Sequence, residues 1–166
     1  MSEKTTKARP PKDSAKPAAP IRPRLFCPDD EDIEITVTGY YAKDTGVLAF
    51  VLPTAAEETP ENFFAETHTF AFSRVPYNRL NIYRSQALHY KDDGTAGGVD
   101  ILRLRDFLWS FHLKKWNLKD ADGKPVPLEH TPDGMLADAS RKLLDRLPAT
   151  LLDTVITMFE RKVNIA

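Results

Sequence analysis

The residue types that most often form catalytic and metal sites are widely scattered in this sequence. The four histidines are His68, His89, His112 and His130, and none has a histidine or carboxylate partner at a helical metal-ligand spacing such as H-E-x-x-H. We therefore expect each histidine to be a surface or boundary residue.

Aspartates are the second candidate group, because carboxylate oxygens are the ligands that Ca²⁺ prefers. Asp120 and Asp122 are followed by Asp133, but an EF-hand loop that begins at Asp120 requires a glutamate at its twelfth position, where Thr131 stands. The aspartates are better explained as turn residues, so we predict no metal site.

Nucleophiles and phosphate-binding loops are also poorly supported. Cys27 precedes Pro28 and an acidic run that disfavours the thiolate. No serine lies in a G-x-S-x-G motif, and the glycines at positions 94, 97 and 98 are not followed by Gly-Lys-Ser/Thr. We predict a protein that is not an enzyme, with no catalytic residues and no cofactor.

The composition is typical of one soluble domain with a tail. The 166 residues are 42% hydrophobic and 28% charged, with a formal net charge of -1. With a single cysteine no intramolecular disulfide can form, and no apolar run approaches the length of about 18 residues that a membrane span requires. We predict no membrane association and no secretory signal.

Residues 1–28 are predicted to be a disordered, basic, proline-rich arm. Positions 1–24 contain seven lysines and arginines against Glu3 and Asp13, a local charge of +5, and almost nothing that could be buried. Such an arm could bind nucleic acid by releasing phosphate counterions. Because no aromatic residue is interleaved to stack on bases, we favour a solubilising tail and disfavour a nucleic-acid partner.

Residues 29–166 are predicted to form a single α+β domain, whose strand-rich part covers residues 29–75. Ile33, Ile35 and Val37 alternate with polar residues, residues 47–52 form a second apolar run, and residues 67–72 are a third candidate. These patterns predict a small antiparallel sheet of about three strands, with a hairpin loop at residues 43–46. Thr54 and Thr59 look like helix starts that lead to one helical turn at Phe63 and Phe64.

The second part, residues 76–166, is predicted to contain four to five helices. One helix should run from Pro76 to about Tyr90, followed by a flexible loop over residues 91–98. Asp100 can cap a central helix that runs to about Leu118, and residues 119–125 then form a turn. Further helices are predicted to begin at Thr131-Pro132-Asp133 and at Pro148.

The central helix carries a wider apolar surface than one neighbour can cover. It is expected either to form the core of its own domain or to leave one stripe for a partner, because Trp is enriched among interface anchors. The residues predicted to bind a partner on this helix are Trp109, Leu113 and Trp116, with Arg105 and Lys115 near the rim.

Three features in residues 100–163 together resemble a known protein family. They are Trp116-Asn117-Leu118 at the end of the helix, the turn Asp120-Ala121-Asp122-Gly123-Lys124-Pro125-Val126-Pro127, and Leu147-Pro148 between two short helices. This arrangement resembles the tail assembly chaperones of long-tailed, siphophage-type bacteriophages. The strand-rich part and the basic arm lie outside the resemblance.

The resemblance implies a virion assembly factor that acts in the host cytoplasm. Such a chaperone binds the tape measure protein, helps to recruit tail tube subunits and is absent from the finished tail. Association of the chain with further copies of itself is a second possible interaction. The alternatives are another phage structural or adaptor protein, or a small nucleic-acid-binding adaptor that uses the basic arm.

Overall fold

The computed structural model describes residues 31–56 and 58–163, so the predicted arm and Cys27 lie outside the described residues. The described chain is an α+β fold, as predicted. Its strands are β1 (Ile33–Ala42), β2 (Leu48–Leu52), β3 (Phe63–Phe72), β4 (Leu88–Tyr90), β5 (Ala96–Val99) and β6 (Leu113–Trp116). Its helices are α1 (Tyr77–Gln86), α2 (Ile101–His112), α3 (Asp138–Leu144) and α4 (Ala149–Lys162).

Four strands form an antiparallel sheet in the order β2-β1-β3-β6. The alternation in β1 sets its faces as predicted, because Ile35 and Val37 are fully buried while Thr36 between them is exposed. In register with them, Ile35 lies opposite Phe70 and Val37 opposite His68 on β3. The predicted hairpin between β1 and β2 is confirmed.

The third strand is longer than predicted. Phe63 and Phe64 belong to β3, opposite Ala42 and Tyr41, so the predicted helical turn at these two residues is wrong. Residues 53–56 and 58–62 are not helical either. The long β1 strand offers a full row of backbone partners to this segment, and pairing with it outweighs the local helix-start signals.

The central helix is also shorter than predicted. Asp100 caps α2 by accepting from the Arg103 N–H at 3.1 Å, as expected, but the helix ends at His112 rather than Leu118. Residues 113–116 instead become β6 on the free edge of β3, where Leu113 lies opposite Phe72 and Trp116 opposite Phe70. Extended pairing covers an edge that a longer helix would leave open.

Two other helix predictions need correction. The helix from Pro76 ends at Gln86, because residues 88–90 pair with β5 in a small hairpin that replaces the predicted flexible loop. The Thr131-Pro132-Asp133 start is wrong: these residues form a turn with Gly134 at a φ of 80°, and α3 begins at Asp138. The helix that follows Pro148 is confirmed as α4.

The core lies between one face of the sheet and the helices. Phe72 stacks on Phe159 of α4 at 4.4 Å between ring centroids, and Trp109 of α2 packs at 5.2 Å from Phe72. On its other side α2 meets α1, where the Tyr83 ring stacks against both Phe107 and Phe111. The central helix thus has two neighbours, as its wide apolar surface required, and the sheet is one of them.

Candidate functional site

The helices cover only part of the inner face of the sheet. Ile35, Val37, Phe70 and Phe72 are fully buried beneath them. Tyr41 and Phe64 lie opposite each other on the same face, near the other end of β1 and β3. Both side chains are partly exposed there. This uncovered end of the sheet is the floor of an open groove of about 840 Å³.

We call this cavity the Trp116 groove. Its first wall, which is also its floor, is the uncovered end of the sheet with the β1–β2 loop, and it is made by Tyr41, Gly46, Leu48, Phe64, Glu66 and His68. Its second wall is the end of β6 and the turn that follows, and its third is the connection between α3 and α4. These walls contribute Trp116, Leu118, Lys119, Asp120, Ala121, Val126, Leu143, Arg146, Leu147, Pro148 and Leu151.

Trp116 is fixed in the second wall by its backbone and by its side chain. It closes the β3–β6 ladder opposite Phe70, and its indole Nε1 donates to the Val126 carbonyl at 2.8 Å. The next residue, Asn117, extends the pairing with its side chain, because its Oδ1 accepts from the Thr69 N–H at 2.8 Å. The half-buried indole is therefore held at the edge of the groove.

The Asp-rich turn is built as the sequence predicted. The Asp120 carboxylate accepts from the backbone N–H groups of Asp122 and Lys124, both at 2.9 Å. Gly123 has a φ of 76°, a region that glycine enters without steric cost. The turn brings Val126 back to Leu118, whose carbonyl accepts from the Val126 N–H at 2.9 Å.

A tyrosine and a histidine share a hydrogen bond in the groove floor. The Tyr41 hydroxyl bonds His68 Nε2 at 2.5 Å. Burial lowers the pKa of His68, although Glu66 opposes that effect, and burial raises the pKa of Tyr41. Both groups are consequently neutral near pH 7 and add no charge to the floor.

This arrangement requires a glycine beneath it. A Cβ at Gly39 would lie 3.0 Å from Tyr41 Cε2 and 3.2 Å from His68 Nε2. The absence of a side chain there lets the two rings approach each other.

The five residues predicted to bind a partner do not lie on one helix face. Trp109 is 6% exposed and Leu113 fully buried, so both belong to the core. Trp116 lines the groove from β6. The predicted helical stripe is wrong because α2 ends before two of its three members.

The two predicted rim cations have separate environments. Arg105 donates to both Glu160 oxygens, from Nε at 3.0 Å and from Nη2 at 2.9 Å, which ties α2 to α4. Lys115 is exposed and lies 3.6 Å from the Asp32 carboxylate. Neither lines the Trp116 groove.

The expectation for the histidines also needs correction. His68 and His112 are buried at 5% and 6% exposure, whereas His89 is exposed and His130 partly so. His112 is held by two hydroxyls, with Ser73 Oγ 3.0 Å from Nδ1 and Tyr83 Oη 3.1 Å from Nε2. Burial first, and the positive charge of Lys114 second, lower the pKa of His112 to about 4.

The sheet side of the groove has no signal in the local sequence. Tyr41, Phe64 and His68 are far from the resembling stretch, and only the register of β1 against β3 brings them together. Leu147-Pro148, which belongs to the resemblance, lines the groove.

Within the described ranges, no three His, Cys, Asp or Glu side chains are grouped so that they could hold a metal ion. None of the helices in the described part of the chain has the length and apolar character needed to span a bilayer. No protein-family model matches the chain, and no curated protein or solved structure gives a significant match.

Proposed function

We propose that this chain is a tail assembly chaperone of a long-tailed bacteriophage, and that it holds an amphipathic helical segment of the tape measure protein in the Trp116 groove. One observation carries the proposal. Residues from all three features of the resemblance, Trp116, the Asp120 turn with Val126, and Leu147-Pro148, meet around a single apolar groove.

The chemistry of the groove suits a helix with one apolar face. Apolar side chains come from the sheet, the turn and the α3–α4 connection, and Phe64 is 43% exposed. A helix offers apolar side chains at i, i+3, i+4 and i+7, which is the pattern that a groove with an apolar floor can accept. Cations and carboxylates both line the groove, namely Lys119, Arg146, Glu66 and Asp120, and these complement the mixed polar flanks of such a helix.

The proposed role is binding rather than catalysis. An elongated helical tape measure protein exposes apolar stripes before the tail tube surrounds it, and a chaperone keeps them soluble by covering one segment at a time. In this proposal the chain acts in the host cytoplasm, needs no cofactor and gives way to the tail tube subunits that it helps to recruit.

Co-expression with the candidate tape measure protein tests this function. Affinity capture and sizing of the complex in moderate salt should give a soluble assembly with many copies of this chain per tape measure chain. An insoluble tape measure protein, with this chain eluting alone, would refute the proposal.

A pair of variants tests whether the groove is the binding surface. Phe64→Ser changes a partly exposed groove residue, and Ile82→Ser changes a residue of nearly equal exposure on α1, at 44% against 43%. If Phe64 is a groove anchor, Phe64→Ser should weaken tape measure binding at least tenfold, on the order of 1.4 kcal/mol or more. Ile82→Ser should bind like the wild type, and equal losses in both variants would exclude the groove.

A further inference from the structure

A second cavity, of about 490 Å³, lies apart from the Trp116 groove and shares no lining residue with it. It lies where the end of β3, α1, β6 and the turn at residues 133–135 come together. We call it the basic pocket, and its polar lining includes Ser73, Arg74, Arg79, Tyr83, His112 and Lys114.

The charges in the basic pocket are unbalanced. Arg74, Arg79 and Lys114 line it against one carboxylate, Asp133. Within the described ranges, none of these three cations forms a salt bridge. Three cations gathered without matching carboxylates repel one another, and an anion placed among them would relieve that repulsion.

The hydroxyls of the pocket add directional donors. A neutral imidazole has one N–H and one acceptor nitrogen, and both nitrogens of His112 are engaged by Ser73 and Tyr83. Whichever hydroxyl accepts the His112 N–H keeps its own proton for another acceptor. The lowered pKa of His112 keeps the ring neutral near pH 7, so one hydroxyl donor stays available in either tautomer.

We infer that the basic pocket binds a small phosphate-type oxyanion, such as a phosphate monoester, through Arg74, Arg79, Lys114 and a hydroxyl of the Ser73–His112–Tyr83 cluster. A tetrahedral dianion offers several acceptor oxygens to cations that converge from different elements, and charge-assisted hydrogen bonds of this kind are the strong ones. The cavity volume falls in the range of small-ligand sites, roughly 300 to 1,000 Å³. The site is independent of the proposed chaperone function.

Calorimetric titration of the full chain tests the inference, with inorganic phosphate and phenyl phosphate as probes. The variant is Arg79→Gln/Lys114→Gln. The matched control is Arg161→Gln/Lys142→Gln, which removes one arginine and one lysine from exposed positions that do not line the pocket. Urea unfolding of both variants confirms that each is folded.

We expect saturable binding by the wild type and the control, and a loss of affinity of roughly tenfold or more in the Arg79→Gln/Lys114→Gln variant. The His112 ring resonances should shift on addition of phosphate in the wild type. Equal losses in both double variants, or no saturable binding by the wild type, would overturn the site. Tighter binding of a single-stranded oligonucleotide than of phosphate, at equal phosphate concentration, would also overturn it and assign the cations to a nucleic-acid backbone.

Discussion

The indole Nε1 of Trp116 donates a hydrogen bond to the carbonyl oxygen of Val126 at 2.8 Å. The two residues stand on opposite sides of the Asp-rich turn, and the bond joins the edge strand of the sheet to the chain that leaves the turn. A second bond, from the Val126 N–H to the Leu118 carbonyl at 2.9 Å, closes the same loop. Together they hold one wall of the Trp116 groove.

Replacing Trp116 should affect folding and binding together, because its ring is half-buried and also lines the groove. Trp116→Ala removes both the packing and the donor, so we expect a loss of about 2 to 3 kcal/mol in the free energy of unfolding. Trp116→Phe keeps one aromatic ring but loses the indole N–H and part of the packed ring surface, so we expect a smaller cost of about 1 to 2 kcal/mol. Urea unfolding measures both, and a Trp116→Ala protein of wild-type stability would contradict the observed packing.

Asp120 should stabilise the turn through its carboxylate. Asp120→Ala leaves the Asp122 and Lys124 N–H groups without their acceptor, and we expect a loss of about 1 kcal/mol in thermal or urea unfolding. Asp122→Ala is the control, because the Asp122 carboxylate only faces exposed Lys124 at 3.7 Å. The free energy of unfolding of Asp122→Ala should be within about 0.5 kcal/mol of the wild-type value. An equal loss of stability in both variants would mean that the negative charge, rather than the hydrogen bonds within the turn, accounts for the effect.

The sequence was most informative where local chemistry decides the structure. The alternation of Ile33, Ile35 and Val37, the Asp100 cap and the Asp120–Gly123 turn each depend on neighbours in the chain, and each is present. Predictions were wrong where distant pairing decides. The apolar residues of 113–116 continue the helical periodicity of α2, but this segment pairs with the edge of β3 and is a strand.

The candidate site could be predicted only in part for the same reason. Trp116, the Asp120 turn and Leu147-Pro148 were marked by the resemblance, and they form two walls of the groove. The first wall, on the sheet, depends on the register that sets Tyr41 opposite Phe64, and no local pattern in the sequence predicts that register. The burial of Trp109 and Leu113 likewise depends on which helix face meets the sheet.

Removing only one partner of the Arg105–Glu160 ion pair should destabilise the fold. Glu160 is 8% exposed, so removing its partner leaves a carboxylate in a poorly hydrated position. We expect Arg105→Met to lower the free energy of unfolding by about 3 kcal/mol. The double variant Arg105→Met/Glu160→Met should recover most of that loss, because it removes both charges and keeps side-chain volume.

The outer contact of the same arginine is the internal control. Asp153 lies 3.5 Å from Arg105 Nη1, and its side chain is 69% exposed. Water screens such a pair, so Asp153→Asn should change stability by less than about 1 kcal/mol. A double-mutant cycle in urea gives the coupling energies, and a stronger coupling to Asp153 than to Glu160 would contradict the burial argument.

His112 should make the fold sensitive to acid. Its pKa is lowered to about 4 in the folded chain, first by burial and then by Lys114, with Arg79 acting the same way and the Ser73 and Arg74 backbone opposing. In the unfolded chain a histidine has a pKa of about 6.5. As the pH falls below that value, the unfolded state binds a proton that the folded state still rejects. Stability is therefore complete above about pH 6.5 and is lost progressively toward pH 4.

A shift of this size corresponds to a loss of about 3 kcal/mol in the free energy of unfolding across that window. His112→Gln cannot titrate but can still hydrogen-bond the Ser73 and Tyr83 hydroxyls, so the variant should lose about 3 kcal/mol less than the wild type between pH 7 and pH 4. The lowered pKa of His68 also reduces stability at acid pH. Because His68 is present in both proteins, its contribution cancels in the difference between them. Urea unfolding at a series of pH values measures the difference. Parallel curves for the two proteins, or a His112 resonance that titrates near pH 6.5 in the folded wild type, would show that burial does not control this side chain.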